Sequence, residues 1–478
     1  MENAKLAELL FPNIKENVED LLKKYPPRKT AAFRFAPSPT GQLHIGGVGT
    51  ALSAMRLARH FGGIVYLRIE DTDQKREVKG AVEQLKKDLG AFGIAFDEYD
   101  GKGKYGPYTQ SKRGDIYKAF AKHLVEIGRA YPCFCTPDDL TKIRDAQNKK
   151  GERTGYNAKA SRCQKLDLKK IEENLKKGMP WVLRFDSTPD AGQKIEWTDA
   201  VRGKMSLPTE ENHFVVLKAD GLPPYNFAHV VDDTLMRTSH ILRGEEYIVS
   251  APEHIQLARV FGQVPYQYAH IPVVCVLDNG SKRKLSKRKD KEALANTFIE
   301  LGYPVEALIE YMGVLYNTEN GFEKITTNNP LFDWDKLDSI SREIIAKKTN
   351  KQINEEVQAF LKDKGKKYDA KSLSTLLAIG RETDKPRKDL AKYSDIFTVY
   401  DFLFEKPKGI IENQELYDEF KSVYNPNDDK ETWLGKMKNL SVPIRDATKI
   451  ISKATIGREQ SPDLYSVLKI VGELHGLK

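Results

Sequence analysis

Cysteine is nearly missing from this chain, with four in 478 residues, too few for the disulfide framework of a small secreted protein. A reducing compartment is expected. Long apolar runs are missing as well, since no stretch approaches the roughly 18 residues needed to span a bilayer as a helix. The opening segment, MENAKLAELLFPNIKENVEDLLKKYPPRK, interleaves charges with Leu6, Leu9, Leu10, Val18, Leu21 and Leu22. It has neither an uninterrupted apolar core nor a small-residue cleavage site, so no secretory signal is expected. We expect two short amphipathic helices there, KYPPRK as a linker, and a cytoplasmic protein. Internal repeats and long low-complexity segments are absent, and no charge sign dominates: 77 Lys and Arg face 68 Asp and Glu, a net +9.

The basic residues are nonetheless clustered. Lys282 to Lys291 holds seven bases and one acid, and Leu361 to Tyr393 holds ten bases and five acids. One such run is by default a solvated face; two of them, one beside a candidate phosphate loop, point to an RNA partner whose phosphates need neutralising.

The length exceeds what one core fills, so several domains are expected. From Ala31 to about Tyr131, short apolar runs (AAFRF, IVYLRI) alternate with helical periods over about Gly47–Phe61 and Val82–Gly90. That is a βαβ order, a parallel sheet with ligands at the carboxyl ends of its strands. Periodicity weakens between Tyr131 and about Leu207, with a strand around Trp181–Phe185, which reads as an insertion. Strand-and-turn pattern resumes with HVVDD, HILRGEE, a helix capped by Ser250 and Glu253, and PVVCVL leading into the lysines. Beyond Lys291 helices dominate.

Two motifs carry the chemistry. In RFAPSPTGQLHIGG, Arg34 to Gly47, Pro37, Pro39 and Gly41 set a turn, and His44, Gly46 and Gly47 stand at the mouth of a helix, where bare backbone and the helix dipole suit phosphate. In KLSKRK, Lys284 to Lys289, three lysines surround Ser286 and suit pyrophosphate charge. The pair points to adenylate chemistry with ATP. These stretches resemble the "HIGH" and "KMSKS" signatures of class I aminoacyl-tRNA synthetases, and RFAPSPTG, RIEDTD and YNFAHVVDD resemble the bacterial type of glutamyl-tRNA synthetase, from about Lys29 to Gly313. Gly47 stands where the first signature has its second histidine.

The resemblance implies an α/β fold: a Rossmann-type nucleotide-binding domain with an inserted α/β domain, followed by an all-helical C-terminal region. It divides the chain into an extension (1–29), the first catalytic half (30–130), an acceptor-end-binding insertion (131–207), the second half (208–280), the lysine loop with stem-contact helices (281–329) and a helical anticodon-binding region (330–478), with Arg387 a candidate reader. It implies His44, Lys284 and Lys287 as catalytic residues, and Ser38, His44, Gly46, Gly47, Glu246, Lys284 and Lys287 around ATP. A pocket that selects glutamate wants two cationic forks and one anion. Arg34 matches the family's position for the side-chain carboxylate, Arg243 for the α-carboxylate and Glu70 for the α-amino group. Ala36, Ser38 and Tyr225 line the same site, and His229 occupies a position where the family often has Asn.

Asp71, Asp73, Asp232 and Asp233 are read as helix caps and structural partners, with Mg²⁺ riding on the ATP phosphates and no fixed protein cage. Cys133, Cys135 and Cys163 resemble the zinc knob of some relatives, but Ala160 stands where a fourth cysteine would be, so buried reduced thiols are expected. The expected activity is ligation of glutamate to tRNA(Glu), and possibly tRNA(Gln), by a monomer. A paralogue that glutamylates a modified base would end soon after the lysine loop, and a small-molecule adenylyltransferase would not need Arg34, Arg243 and two basic runs.

Overall fold

The structure is a computed structural model that describes residues 2–39, 41–73, 78, 80–263, 266–286 and 288–475. The chain divides into two compact units: residues 1–296 with 312–332, and residues 297–311 with 333–478.

The first unit opens with helices α1 (Glu2–Leu10) and α2 (Val18–Lys24), followed by strand β1 (Ala32–Phe35), α3 (Ile45–His60), β2 (Ile64–Leu67), α4 (Ala81–Ala91) and α5 (Gly114–Glu126). Next come β3 (Ala130–Cys133), α6 (Pro137–Lys149), α7 (Leu168–Lys176), β4 (Val182–Phe185), the hairpin β5 (Lys194–Asp199) and β6 (Gly203–Pro208), and β7 (Val215–Leu217). The chain then runs through α8 (Tyr225–Leu235), β8 (His240–Gly244), α9 (Ala251–Val260), β9 (Gln267–Ile271) and the hairpin β10 (Cys275–Asp278) and β11 (Ser281–Lys284). The central sheet has the order β2-β1-β8-β9, all parallel, with Arg34 beside Tyr66 and Arg243 beside His270 in the register. All four residues of β1 are buried, as a strand covered on both faces must be, and its one polar side chain, Arg34, is therefore a functional candidate. The insertion carries its own antiparallel sheet, β3-β4-β7, which reaches Leu217.

Helix signals operate locally. Thr136 and Asp139 form a reciprocal capping box on α6, with Pro137 in the first turn. Other local expectations fail. HVVDD lies on α8, not a strand: His229, Asp232 and Asp233 are fully buried in a helix that is covered from Phe227 to Leu235, and a short apolar run cannot tell that from a buried strand. The Ser250–Glu253 cap is absent, because a 3₁₀ turn over Glu245–Ser250 leads straight into α9 and leaves Ser250 in helical geometry. Glu253 instead accepts from the Asn226 amide. Nor is KYPPRK a loose linker: Arg28 grips Glu98 with two bonds of 2.9 and 2.6 Å and donates to the Met236 carbonyl. The two opening helices pack into the core formed by α5, α8 and α9.

The second unit, as far as described, is helical, with no strand among its described residues. Its helices include Trp334–Lys347, Asn350–Asp363, Ala370–Ala378, Gln414–Val423, Lys430–Lys438, Ile444–Ile456 and Leu464–His475. Asp333, Thr349, Asp369, Asn413 and Asp429 cap their N-termini with side-chain bonds, which satisfies otherwise orphaned N–H groups. No helix among the described residues is long and apolar enough to cross a membrane.

Candidate active site

A cleft of about 300 Å³ opens at the carboxyl ends of β1 and β8, where adjacent parallel strands place ligands. Its wall joins Arg34, Ala36, His44, Gly46, Gly47, Thr50, Glu70, Tyr225, Arg243, Glu246 and Lys284, residues up to 250 positions apart in sequence. The two sequence motifs therefore meet in one cavity.

The α3 end of the cleft follows from its turn. Gly41 takes φ of +105°, which a side chain would resist, and the chain then enters α3 with His44 as its N-cap. The ring Nδ1 of His44 accepts the Gly46 N–H at 2.9 Å. In the neutral ring the proton then sits on Nε2, which makes that atom a donor suited to phosphate. A Cβ at Gly46 would lie 3.0 Å from that ring's Nδ1, tight enough that the ring would have to shift by a few tenths of an ångström. At the opposite side Lys284, at the end of β11, pairs with Glu246. Lys287 lies outside the described residues.

The other end is built of arginines. Arg34, 4% exposed, donates to the Leu242 carbonyl at 3.1 Å and faces Asp233 at 3.4 Å. Asp233 is engaged more closely by Arg68, at 2.7 Å. Arg68 also holds the Glu70 carboxylate at 2.9 Å, and burial pushes the Glu70 carboxyl up from its ordinary value despite that cation. Two guanidinium groups and one buried carboxylate thus face a single cavity, an arrangement complementary to an amino acid with two carboxylates.

His229 stands behind this wall rather than on it. Its Nδ1 lies 3.2 Å from Asp233 and 3.5 Å from Arg34, and burial holds its pKa well below the ordinary histidine range. Ser38 is exposed on the turn and does not line the cleft. Asp232 and Asp233 are structural partners but not caps, since both lie inside α8. Asp232 is held by Arg113 at 2.6 Å and by Gln110 and Tyr117. Asp71 accepts from the Ser111 backbone and hydroxyl. Sequence reasoning missed Arg68, although it sits two residues before Glu70 in RIEDTD, a spacing that faces both side chains the same way along an extended chain.

Away from the cleft, the Cys133, Cys135 and Cys163 sulfurs lie within 4.8 Å of one another, with Cys135 and Cys163 3.6 Å apart. The Tyr156 hydroxyl contacts Cys133 and Cys135, and no fourth His, Cys, Asp or Glu joins the cluster among the described residues. The hydrogen bond between Cys133 and Cys163 pulls the Cys133 thiol below the ordinary range and pushes Cys163 above it.

The basic run Leu361 to Tyr393 divides by direction. Lys362, Lys364, Lys366, Lys367, Lys371, Lys385 and Lys388 are exposed, whereas Arg381 is buried against the Leu377 and Ile345 carbonyls and Asp389. Arg387, 16% exposed, is turned toward Asp389, Tyr400 and the Leu376 carbonyl, which leaves it little surface with which to read a base.

Residues 31–355 match the family model described as tRNA synthetases class I (E and Q), catalytic domain, and the chain belongs to that family of class I aminoacyl-tRNA synthetases. It is 36% identical to the glutamate–tRNA ligase of Clostridium perfringens strain 13, covering 99% of each chain, and 36% identical to that of Acetivibrio thermocellus, covering 99% of this chain and 98% of the other. A crystal structure of a glutamate tRNA ligase from Elizabethkingia meningosepticum in complex with its amino acid superposes with a TM-score of 0.80 at 25% identity, over 93% of this chain and 97% of that one.

Proposed function

We propose that this chain is a glutamate–tRNA ligase that activates L-glutamate with ATP and esterifies the 3′-terminal adenosine of tRNA(Glu). The observation that carries the assignment is the meeting of Arg34, Arg243 and Glu70 with the α3 N-terminus and Lys284 in one cleft. In the first step a glutamate α-carboxylate oxygen attacks the α-phosphorus of ATP and the bond to the β-phosphate bridging oxygen breaks, giving glutamyl adenylate and pyrophosphate. In the second, a ribose hydroxyl of the terminal adenosine attacks the adenylate carbonyl, and AMP leaves.

The protein's part is orientation and charge. Arg34 takes the side-chain carboxylate and Arg243 the α-carboxylate, while Glu70, fixed by Arg68, takes the ammonium. Ala36 and Tyr225 complete the surroundings of glutamate, with His229 acting through Arg34. His44 Nε2 and the N-terminal amides of α3 receive phosphate oxygens, and Lys284 and Lys287 meet the charge that grows on the departing pyrophosphate. Among the described residues, the carboxylates lining the cleft, Glu70 and Glu246, pair with Arg68 and Lys284. Mg²⁺ would ride chiefly on the ATP phosphates, where it would screen their charge.

The insertion over 131–207 grips the acceptor end, and the helical region beyond 329 reads the anticodon side. Zinc is not needed at the three-thiol cluster. The enzyme acts in the cytoplasm as a monomer. The test is glutamate-dependent exchange of pyrophosphate into ATP with and without tRNA, followed by charging of purified tRNA(Glu) and tRNA(Gln). Failure to charge either with glutamate contradicts the proposal.

A further inference from the structure

The second arginine of the cleft has unusual company. Among the described residues Arg243 makes no ion pair, although it is only 5% exposed. Its Nε–H donates to His270 Nε2 at 3.0 Å, Nη1 meets His254 Nδ1 at 3.0 Å, and Nη2 donates to the Tyr247 carbonyl at 3.1 Å. A guanidinium has five N–H groups, so these three bonds leave one on each terminal nitrogen, a two-pronged fork. The Tyr268 and Tyr247 rings lie 5.1 and 5.6 Å from the guanidinium carbon and stabilise the cation without offering it a counter-charge.

The two imidazoles can accept only because each has its proton committed elsewhere. Nδ1 of His270 lies 2.6 Å from the Asp199 carboxylate, which fixes the proton there and leaves Nε2 bare toward Arg243. Nε2 of His254 lies 2.9 Å from Asn226 Oδ1, and that amide is oriented by donating its NH₂ to Glu253. Nδ1 of His254 is therefore the bare atom. Burial keeps both rings below the ordinary histidine pKa, consistent with two neutral acceptors. A carboxylate in either place would neutralise Arg243 and compete with the incoming anion, whereas a neutral ring satisfies an N–H and leaves the charge intact.

We propose that His254 and His270, set in their tautomers by Asn226 and Asp199, are positioning residues that hold Arg243 as an uncompensated fork for the substrate α-carboxylate. This rests on the glutamate-ligase assignment above. His254 and His270 contact Arg243, not the reacting atoms, so their loss reads out in amino-acid affinity rather than in ATP affinity.

The decisive variant is Asp199→Asn. The Asp199 Oδ1 that accepts the Val201, Arg202 and His270 amides is kept, but an amide NH₂ facing His270 Nδ1 drives the ring proton to Nε2, where it opposes the Arg243 N–H. In tRNA-supported pyrophosphate exchange, KM for glutamate should rise about tenfold or more, the loss expected for a hydrogen bond to a charged group, with KM for ATP within about twofold. A second pair separates acceptor from packing: His254→Leu should match that loss, while His254→Asn, which places a carbonyl oxygen near the Nδ1 position, should recover most of it. An unchanged KM for glutamate in Asp199→Asn and His254→Leu, equal losses for ATP and glutamate, or no difference between His254→Asn and His254→Leu would overturn the inference. Absence of glutamate-dependent exchange in the unmodified protein would instead overturn the assignment on which it rests.

Discussion

Single charges decide most of what this cleft can do. Lys287, assigned through its place in KLSKRK, meets charge that exists mainly in the transition state, so Lys287→Ala should lower kcat about 10²-fold or more while the apparent affinity for ATP changes little. Single-turnover kinetics with near-normal activation would remove that role. A quieter residue offers a test of burial itself. Desolvation, reinforced by Glu210, pushes the Glu253 carboxyl up to about 7. A folded-state pKa above the unfolded one means that the stabilising contribution is full below about 4.5 and is lost as pH rises through 7. Glu253→Gln should therefore raise the thermal midpoint relative to the unmodified protein at pH 8 and bring little gain at pH 4. Equal gains at both would exclude the charge as the cause. Arg34, Glu70 and Arg243, which the structure brings into one cleft, stand out in the sequence because each belongs to a motif and the expected ligand chemistry calls for its charge. Arg68, His254 and His270 were not, because their meaning lies in which atom each faces, and Arg243 is far in sequence from its His270 partner.

Elements were read well where periodicity was long and poorly where it was short. Helix α3 and the parallel pair β1 and β2 stand within two or three residues of expectation, since a sixteen-residue helical run opened by the HIGG turn admits few alternatives. HVVDD was misread because five residues do not separate period 2 from period 3.6. The charge runs gave composition but not direction, so Arg381 and Arg387 were counted with the exposed lysines though both point inward. One element-level consequence concerns α3 itself, whose Gly49 lies against the Tyr316 ring: a Cβ there would meet it at 2.3 Å. On an exposed helix Gly→Ala gains up to about 1 kcal/mol, but overpacking costs about 1 to 3 kcal/mol and should win here. Gly49→Ala should therefore lower the denaturation midpoint, and a stabilised variant would show that the contact yields freely.

At the scale of the whole molecule, the proposed anticodon role of the helical unit is tested through the phosphates its lysines would touch. The exposed lysines Lys362, Lys364, Lys366 and Lys367 should contact tRNA phosphates, each adding about 0.7 to 0.9 to the log–log salt slope of binding. Replacing all four with Gln should flatten that slope for whole tRNA and leave binding of an acceptor-stem minihelix unchanged; an unaltered slope would remove these lysines from the interface. The central claim, that two guanidinium groups and one buried carboxylate select glutamate for adenylation, is tested most directly by comparing glutamate with glutamine in pyrophosphate exchange with tRNA present. Glutamine has nearly the same shape but leaves Arg34 without its carboxylate, so the account predicts preference for glutamate by about 10³-fold or more in kcat/KM. Comparable exchange with the two amino acids would contradict it.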